Sequence, residues 1–209
     1  NVVEIDRIAG RVAVPVFAEG VGRYWGRGEP IDLDRAAEML ADAHSGLSDN
    51  ISAGKIDKLS LKLNPFRTLT MDAKDTGTVT FGEKFEFAAM HKLWNDSFSA
   101  ERNFEVFGKC AHPTGHGHNY VVEVTVKAPA PGINLEIGRF ERIVDAELIQ
   151  VVDHKNLNLE VDFMEGLIPS TENFAVAIWN ALVDAIPAGR LFAVRLYETE
   201  NNLAEYRGE

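Results

Sequence analysis

Two segments in the second half of the chain alternate between apolar and polar residues, and this pattern limits the possible folds more than any other feature. Because successive side chains of a β-strand point to opposite faces, each segment is predicted to be a strand with one buried face. In both strands the histidines end the apolar face. The residues on that face are Val79, Phe81, Phe85, Phe87 and His91 in the first strand, and His116, His118, Tyr120, Val122, Val124 and Val126 in the second.

Two segments with helical spacing follow these strands. Residues 139–152 repeat apolar side chains at intervals of three and four, and residues 170–187 begin with Ser170 or Thr171 as the predicted N-cap. Residues 191–206 then read as a hairpin that turns near Asn201. The order ββααββ predicts an α+β fold, in which two helices cover one face of an antiparallel four-stranded sheet. The segment between the first two strands, residues 95–114, is predicted to be a long polar loop.

The first 75 residues form a separate pattern. Residues 33–47 are amphipathic, with Asp32 as the predicted cap, and residues 58–71 suggest two short strands around Asn64 and Pro65. A helix followed by a hairpin also ends the second half. One interpretation is therefore a degenerate partial duplication, and the other is an extension that packs on the domain or on a neighbouring subunit. We predict an extension at residues 1–75 and a main domain at residues 76–209.

The net charge and the cysteine content limit the possible binding partners of the chain and the cellular compartment that it fits. The net charge of −11 argues against nucleic acid or an anionic membrane as the main partner, because both require basic surface. The single cysteine permits no intrachain disulfide, and an unpaired thiol fits a reducing compartment. The chain shows no signal peptide pattern and no apolar run of membrane-spanning length. We expect a cytoplasmic protein.

His91, His116 and His118 form a candidate metal site. Residues i and i+2 of a strand share a face, so both imidazoles of the sequence His-Gly-His can reach one ion. A third histidine from the neighbouring strand gives three nitrogen ligands and leaves a fourth position open, which is typical of catalytic zinc. The alternative is that each histidine is a buried side chain with a local hydrogen-bond partner.

Three further residues suggest proton-transfer chemistry. Cys110 lies six positions before His116, and a nearby metal ion or Lys109 would lower the pKa of its thiol. The alternative is a small buried apolar residue. Asp153 and His154 are adjacent, and a carboxylate that orients an imidazole is a common general acid–base arrangement. Adjacent Asp-His pairs are also frequent by chance.

Glu198 follows three apolar residues on one strand face: Phe192, Val194 and Leu196. A buried carboxylate without a partner is costly, so we expect a cation or a pair of donors beside it. A heterocycle that presents two neighbouring N–H groups would satisfy it in bidentate fashion. The alternative is a glutamate at a sheet edge that reaches solvent.

Five motifs together resemble the 6-pyruvoyl-tetrahydropterin synthase family. They are FEFAAMHKL, FGKCAHPTGHGHNYVVEVTV, VVDHKNLN, STENFAVAIW and YETENNLAEYRGE, which span roughly residues 78–209 in the family's order. The resemblance implies the tunnelling fold and a homohexamer of stacked trimers with active sites shared between subunits. The chain departs from the family in residues 1–75 and in the segment 129–138.

The resemblance also implies roles for the candidate residues. His91, His116 and His118 correspond to zinc ligands, and Cys110 corresponds to the catalytic thiol. Asp153 and His154 correspond to a relay pair that an adjacent subunit contributes. The residues that correspond to the pterin-binding pocket are Glu198, which binds the ring, with Thr171 and Glu172.

The family contains more than one reaction. One branch is a carbon–oxygen lyase that converts 7,8-dihydroneopterin triphosphate, with Mg²⁺, to 6-pyruvoyl-tetrahydropterin on the way to biopterin. Another makes 6-carboxy-tetrahydropterin for queuosine synthesis and sets its cysteine two residues closer to the His-Gly-His sequence. The six-position spacing from Cys110 to His116 favours the first branch. A non-catalytic pterin- or zinc-binding module is the alternative from another class.

Overall fold

The computed structural model describes residues 2–5, 14–17, 32–50, 56–187 and 190–209. It contains two compact units: Asn1–Glu83 with Thr125–Leu135, and Lys84–Val124 with Glu136–Glu209. The domains predicted from the sequence, residues 1–75 and 76–209, were defined by motifs and possible ancestry and not by packing. This division of the chain stays a prediction. No helix in the described part of the chain combines the length and the hydropathy needed to span a lipid bilayer.

The described residues of the first unit form five strands and a long helix. Its elements are β1 (Val2–Ile5), β2 (Val14–Phe17), α1 (Leu33–Asn50), β3 (Lys58–Lys62), β4 (Arg67–Asp72) and the beginning of β5 (Asp75–His91). The strands pair antiparallel in the order β2-β1-β3-β4-β5. The predicted helix and the two predicted strands are confirmed, and Asp32 caps the helix by accepting a bond from the Arg35 amide at 3.0 Å.

The core of this unit lies between α1 and the sheet. Apolar residues alternate with polar ones along β3 and β4, and the buried positions face the buried side of the helix. The buried side chains are Leu33, Ala36, Ala37, Leu40, Leu59, Leu61, Leu69, Met71, Val79 and Phe81. Their burial supplies the main stabilisation of the unit, at about 25 cal/mol for each Å² of apolar surface removed from water.

The second unit begins with the remainder of β5. Its further elements are α2 (Ala100–Phe107), β6 (His116–Pro129), α3 (Ile137–Val144), β7 (Lys155–Asn156), α4 (Thr171–Val183), β8 (Leu191–Thr199) and β9 (Asn202–Tyr206). Helix α3 continues through a π-helical turn, Asp145–Ile149, and a last α-turn, Gln150–Val152. The sheet order is β5-β6-β8-β9, and β7 pairs with β5 in parallel. The predicted α+β fold is confirmed.

Two details differ from the sequence prediction. The predicted loop at residues 95–114 contains helix α2 and a 3₁₀ turn, Gly108–Ala111. Only Asn103 of this helix is buried, and at eight residues the helix is shorter than the window over which a periodic apolar stripe can be recognised. Helix α4 ends at Val183, before Pro187, although Ser170 caps its start as predicted by accepting a bond from the Asn173 amide.

Aromatic rings form the centre of the second unit and lie directly beside the histidines. Phe87 of β5 stacks on Tyr120 of β6 with ring centroids 5.2 Å apart, and Phe174 of α4 meets both rings edge-on. The Tyr120 ring in turn lies 6.3 Å from the imidazole of His91. Because closely packed interiors leave side chains little freedom, this cluster fixes the strand ends that bear the histidines.

Candidate active site

Three imidazoles from two strands meet at one end of the sheet. His91 ends β5, while His116 and His118 begin β6, and one nitrogen of each lies within 4.8 Å of those of the other two. The Nε2 atoms of His91 and His116 are 3.2 Å apart. Residues 116–120 alternate in burial as the sequence pattern predicted, with the glycine and asparagine on the exposed side. The alternation therefore brings the three predicted ligands together.

Gly115 makes this approach possible. Its φ angle of 68° lies in the left-handed region, which glycine adopts without steric cost. A Cβ atom at this position would lie 2.6 Å from the His91 carbonyl oxygen, which real structures do not tolerate. The turn before β6 therefore contacts the end of β5 through a residue without a side chain.

The surroundings of the imidazoles prepare them to bind a cation. The Pro169 carbonyl accepts a hydrogen bond from Nδ1 of His91 at 2.8 Å, so Nε2 is left as the ligand atom. Burial is the first cause that lowers the pKa of His91 and His118, and it favours the neutral form that binds metals. Nε2 of His118 is buried without a hydrogen-bond partner. The three imidazoles therefore fit a metal ion.

Glu198 lies beside the imidazoles. Its Oε1 is 3.4 Å from Nε2 of His91 and 3.6 Å from Nε2 of His118, and its side chain is 13% exposed. Its Oε2 accepts a bond from the side-chain amide of Asn202 at 2.5 Å, and the same amide nitrogen lies 3.1 Å from the Thr171 hydroxyl oxygen. The sequence predicted that the Glu198 carboxylate would need partners. Its partners are the imidazoles of His91 and His118 and the side-chain amide of Asn202.

Asn202 is a site residue that the sequence interpretation missed. It was assigned to the turn between β8 and β9, and its backbone N–H does bond the Thr199 hydroxyl at 3.1 Å. Its side chain, however, joins Glu198 to Thr171. The available signal was its distance of four positions from Glu198 across a tight turn, which brings the two ends of a hairpin together.

The thiol of Cys110 lies in the 3₁₀ turn after α2 and is partly buried. Burial first, and the charge of Glu198 second, raise the pKa of this thiol. The sequence predicted that Lys109 would lower the pKa of Cys110. Lys109 is not among the causes of the pKa change, and the groups that do act on the thiol raise its pKa. The influence of Glu198 nevertheless places Cys110 within electrostatic reach of the pocket.

Asn103 holds the segment that presents Cys110. Its side-chain nitrogen donates to the carbonyls of Asn95 and Ser99 at 3.0 and 3.1 Å, and its oxygen accepts a bond from the Asn95 amide at 2.7 Å. At the end of the segment, the Leu93 amide donates to the carbonyl of Cys110 at 2.9 Å. These bonds replace the apolar core that helix α2 lacks.

Asp153 and His154 form a hydrogen-bonded pair of their own. Asp153 bonds Nδ1 of His154 at 2.9 Å, and its other oxygen accepts the Ala88 amide at 2.9 Å. These two bonds, with the Ala88 bond first, lower the pKa of Asp153. His154 has a φ of 58°, and its side chain is 81% exposed. Among the described residues, no hydrogen bond or ion pair joins this pair to Glu198 or to the three imidazoles.

His154 faces a cavity of about 420 Å³ on the second unit. The cavity is lined by parts of β5 and β6 and by the segment that follows Asp153, including His118, Lys155 and Glu160. Lys155 lies 3.9 Å from Glu160 and is partly exposed. Glu172, predicted as part of the pterin pocket, is exposed in the first turn of α4.

Comparison with known proteins identifies the family. The model of the family described as 6-pyruvoyl tetrahydropterin synthase matches residues 80–209, and the chain belongs to this family. The 6-pyruvoyl tetrahydrobiopterin synthase of Pongo abelii is 41% identical over 60% of this chain and 89% of its own length. The corresponding Homo sapiens protein is 40% identical over the same shares. The resemblance read from the motifs is confirmed.

A solved structure agrees with the sequence comparison. The structure of Caenorhabditis elegans 6-pyruvoyl tetrahydropterin synthase superposes with a TM-score of 0.60 at 30% identity, over 63% of this chain and 96% of that one. The family model, which matches residues 80–209, contains all of the candidate site residues from His91 to Asn202.

Proposed function

We propose that the chain is a metal-dependent 6-pyruvoyl-tetrahydropterin synthase that acts on 7,8-dihydroneopterin triphosphate. The observation that supports this most is the cluster of His91, His116 and His118, with the Glu198 carboxylate 3.4 Å from the nearest imidazole. Three neutral imidazoles suit a catalytic metal, and a carboxylate held by an amide suits a ring with two adjacent N–H groups. Both features lie in the region that matches the family model.

Zinc is the metal we propose for the three imidazoles, and Mg²⁺ is expected with the triphosphate of the substrate. Zinc has no geometric preference of its own and is commonly bound by three histidines in catalytic sites. When bound, it would act as a Lewis acid that makes the C–H bonds beside the side-chain hydroxyls more acidic. Metal analysis of the purified protein tests the identity of the ion.

The side chains of the protein supply binding and proton transfer. Glu198 accepts two N–H groups of the pterin ring, and Thr171 lies beside it through Asn202. Glu172 lines the entrance of the same pocket. The Cys110 thiolate removes a proton from the side-chain carbon, and the carbon–oxygen bond to the triphosphate breaks as the electron pair leaves with it. Internal tautomerisation then gives the diketo side chain, so no external oxidant or reductant is required.

Asp153 and His154 serve the opposite face of the substrate in this proposal, from a neighbouring copy of the chain. The support is that their bonds link them to each other and to Ala88, and none links them to the imidazoles within the described residues. A homohexamer of two stacked trimers would bring the pair of one copy to the metal site of the next.

Mixing two inactive variants tests the shared site. Cys110→Ala and His154→Ala each lose one component of the proton transfer. If the two components come from different copies, co-expressed variants regain part of the activity, because some hybrid sites contain both intact residues. If co-expression yields no recovery while mixed oligomers form, the two residues belong to the same copy. Analytical ultracentrifugation gives the oligomeric state.

We further propose that residues 76–209 form the synthase domain and that residues 1–75 are an extension without a catalytic residue. All of the proposed site residues, from His91 to Glu198, lie in the first of these segments. We place the protein in the cytoplasm because the Cys110 thiol has to stay reduced for this chemistry. Cell fractionation tests the location.

Product identification is the central experiment. The zinc-loaded protein is incubated with 7,8-dihydroneopterin triphosphate and Mg²⁺, and the pterin product is identified by mass spectrometry. A pyruvoyl product supports the proposal, including the six-position spacing of Cys110 and His116. A carboxy product assigns the chain to the queuosine branch. If no pterin is turned over, the chain is a non-catalytic pterin- or zinc-binding module.

A further inference from the structure

The carboxylate of Glu198 lies close to two of the three imidazoles of the metal site. Its Oε1 lies 3.4 Å from Nε2 of His91 and 3.6 Å from Nε2 of His118. The two imidazole nitrogens of His91 and His116 are themselves 3.2 Å apart. Zinc–nitrogen and zinc–oxygen bonds of about 2.0–2.2 Å in a tetrahedron separate the ligand atoms by about 3.3–3.6 Å.

We propose that Glu198 is the fourth metal ligand while no pterin is bound, and that it leaves the metal when it accepts the N–H groups of the pterin ring. The inference rests on the metal site of the proposed function and adds a resting state to it. Glu198 then closes the site as His₃Glu, a set of four protein ligands of the kind that structural zinc sites use. Pterin binding opens the fourth position to the hydroxyls of the substrate.

The two roles of Glu198 exclude each other in space. While Oε1 contacts the two imidazole nitrogens at 3.4 and 3.6 Å, this oxygen faces the metal site. Bidentate binding of two N–H groups also requires both oxygens to face the ring. The carboxylate must therefore turn away from the imidazoles when the pterin enters.

Asn202 and Thr171 provide the support for this movement. The Asn202 amide holds Oε2 of Glu198 at 2.5 Å and contacts the Thr171 hydroxyl oxygen at 3.1 Å. Because the two oxygens of a carboxylate move together, Glu198 has to turn as a unit about the bond that Oε2 makes with Asn202. A carboxylate has about four lone-pair sites, so the bond from Asn202 can persist in both positions.

Metal affinity gives the first test and does not depend on turnover. The zinc dissociation constants of the wild-type chain, Glu198→Gln and Glu198→Ala are measured by competition with a chromophoric chelator. Glu200→Gln is the matched control, because Glu200 is an exposed carboxylate two positions along the same turn. We expect the Glu198 variants to bind zinc at least about tenfold more weakly, and the control to be unchanged. Equal affinity in all four proteins would overturn the proposal.

Cobalt spectroscopy gives the second test and needs no substitution. The visible bands of Co²⁺ report the number and type of its ligands. 7,8-Dihydroneopterin, which lacks the triphosphate leaving group, is added to the Co²⁺-loaded wild-type protein while binding is followed by pterin fluorescence. We expect the bands to change as the pterin saturates, and the pterin-free Glu198→Gln spectrum to differ from that of the wild type. Bands that stay constant through saturation contradict the proposal.

The two tests separate this inference from the proposed function. If Glu198 variants lose metal affinity and the wild-type protein yields no pterin product, Glu198 is a ligand in a protein that is not a synthase. If the product forms while metal affinity and cobalt spectra are independent of Glu198, the synthase function stands and the fourth-ligand role is wrong.

Discussion

Each unit contains a carboxylate that is largely buried, Glu83 in the first and Glu198 in the second, and the two have different partners. In the first unit, Glu83 is 6% exposed and its Oε1 meets the Arg67 guanidinium at 2.8 Å. In the second unit, Glu198 is 13% exposed and meets two imidazoles and an amide. The guanidinium is always charged and neutralises Glu83 permanently. Burial lowers the pKa of both imidazoles beside Glu198 and so favours their neutral form.

This difference separates a structural ion pair from a binding site. Both carboxylates lie on the apolar face of a strand, where a charge is costly unless it is compensated. Glu83 has the charged guanidinium of Arg67 beside it. Around Glu198 the fold leaves Nε2 of His118 buried without a hydrogen-bond partner, which a metal ion would satisfy. The two sites therefore differ in the partners that surround the carboxylate, and four experiments test this contrast.

Removing an imidazole should have the largest effect. His116→Ala is expected to lose the metal and to reduce turnover about 10³–10⁵-fold, since Lewis-acid stabilisation contributes several kcal/mol to the transition state. Metal analysis and a turnover assay check this result. Exposed His112→Ala is the control and should keep its metal. A His116→Ala protein that retains stoichiometric metal would show that the ligand assignment is wrong.

Removing the thiol should spare the metal. Cys110→Ala is expected to bind metal and pterin normally and to lose turnover about 10²–10⁴-fold, the range for loss of a general acid–base group. Pterin fluorescence measures binding, and product formation measures turnover. Full activity in this variant would exclude the thiol from the reaction.

Removing the cation of the structural pair should act on stability alone. Arg67→Leu takes the guanidinium away from buried Glu83 and is expected to cost about 3 kcal/mol of unfolding free energy, with metal content unchanged. Arg35→Leu is the control, since the Arg35–Glu38 pair is exposed and worth less than about 1 kcal/mol. Urea unfolding compares the two. Loss of metal in Arg67→Leu would break the contrast between the two sites.

The smallest effect concerns the pH dependence of the thiol. Cys110 is the only cysteine, so iodoacetamide labelling reports it alone. Because burial and Glu198 raise the pKa of Cys110, its thiolate fraction is small at neutral pH, and alkylation of the chelator-treated protein should keep rising above the pKa of an ordinary thiol. Glu198→Gln removes one cause and should move the midpoint to lower pH. A rate that already levels off at neutral pH would contradict the expected sign.

Short-range patterns predicted much of the fold. The alternation along β5 and β6 placed the three histidines on the buried face, and the Asp32 and Ser170 caps were readable because capping depends on neighbouring residues. Helix α2 was missed because it has only eight residues and its buried side chain, Asn103, is polar. A helix of two turns is too short for a hydrophobic period to be recognised.

The sequence by itself determined which residues share a strand face, which chemical groups they bring and which family they belong to, because these follow from local periodicity and from motif spacing. Only the tertiary structure decided how those groups are oriented. The Pro169 carbonyl that orients His91 lies 78 positions away, and Asn202 reaches both Glu198 and Thr171. Hydrogen bonds depend on distances of about 3 Å in space, and no periodicity along a chain encodes contacts between segments brought together only by packing.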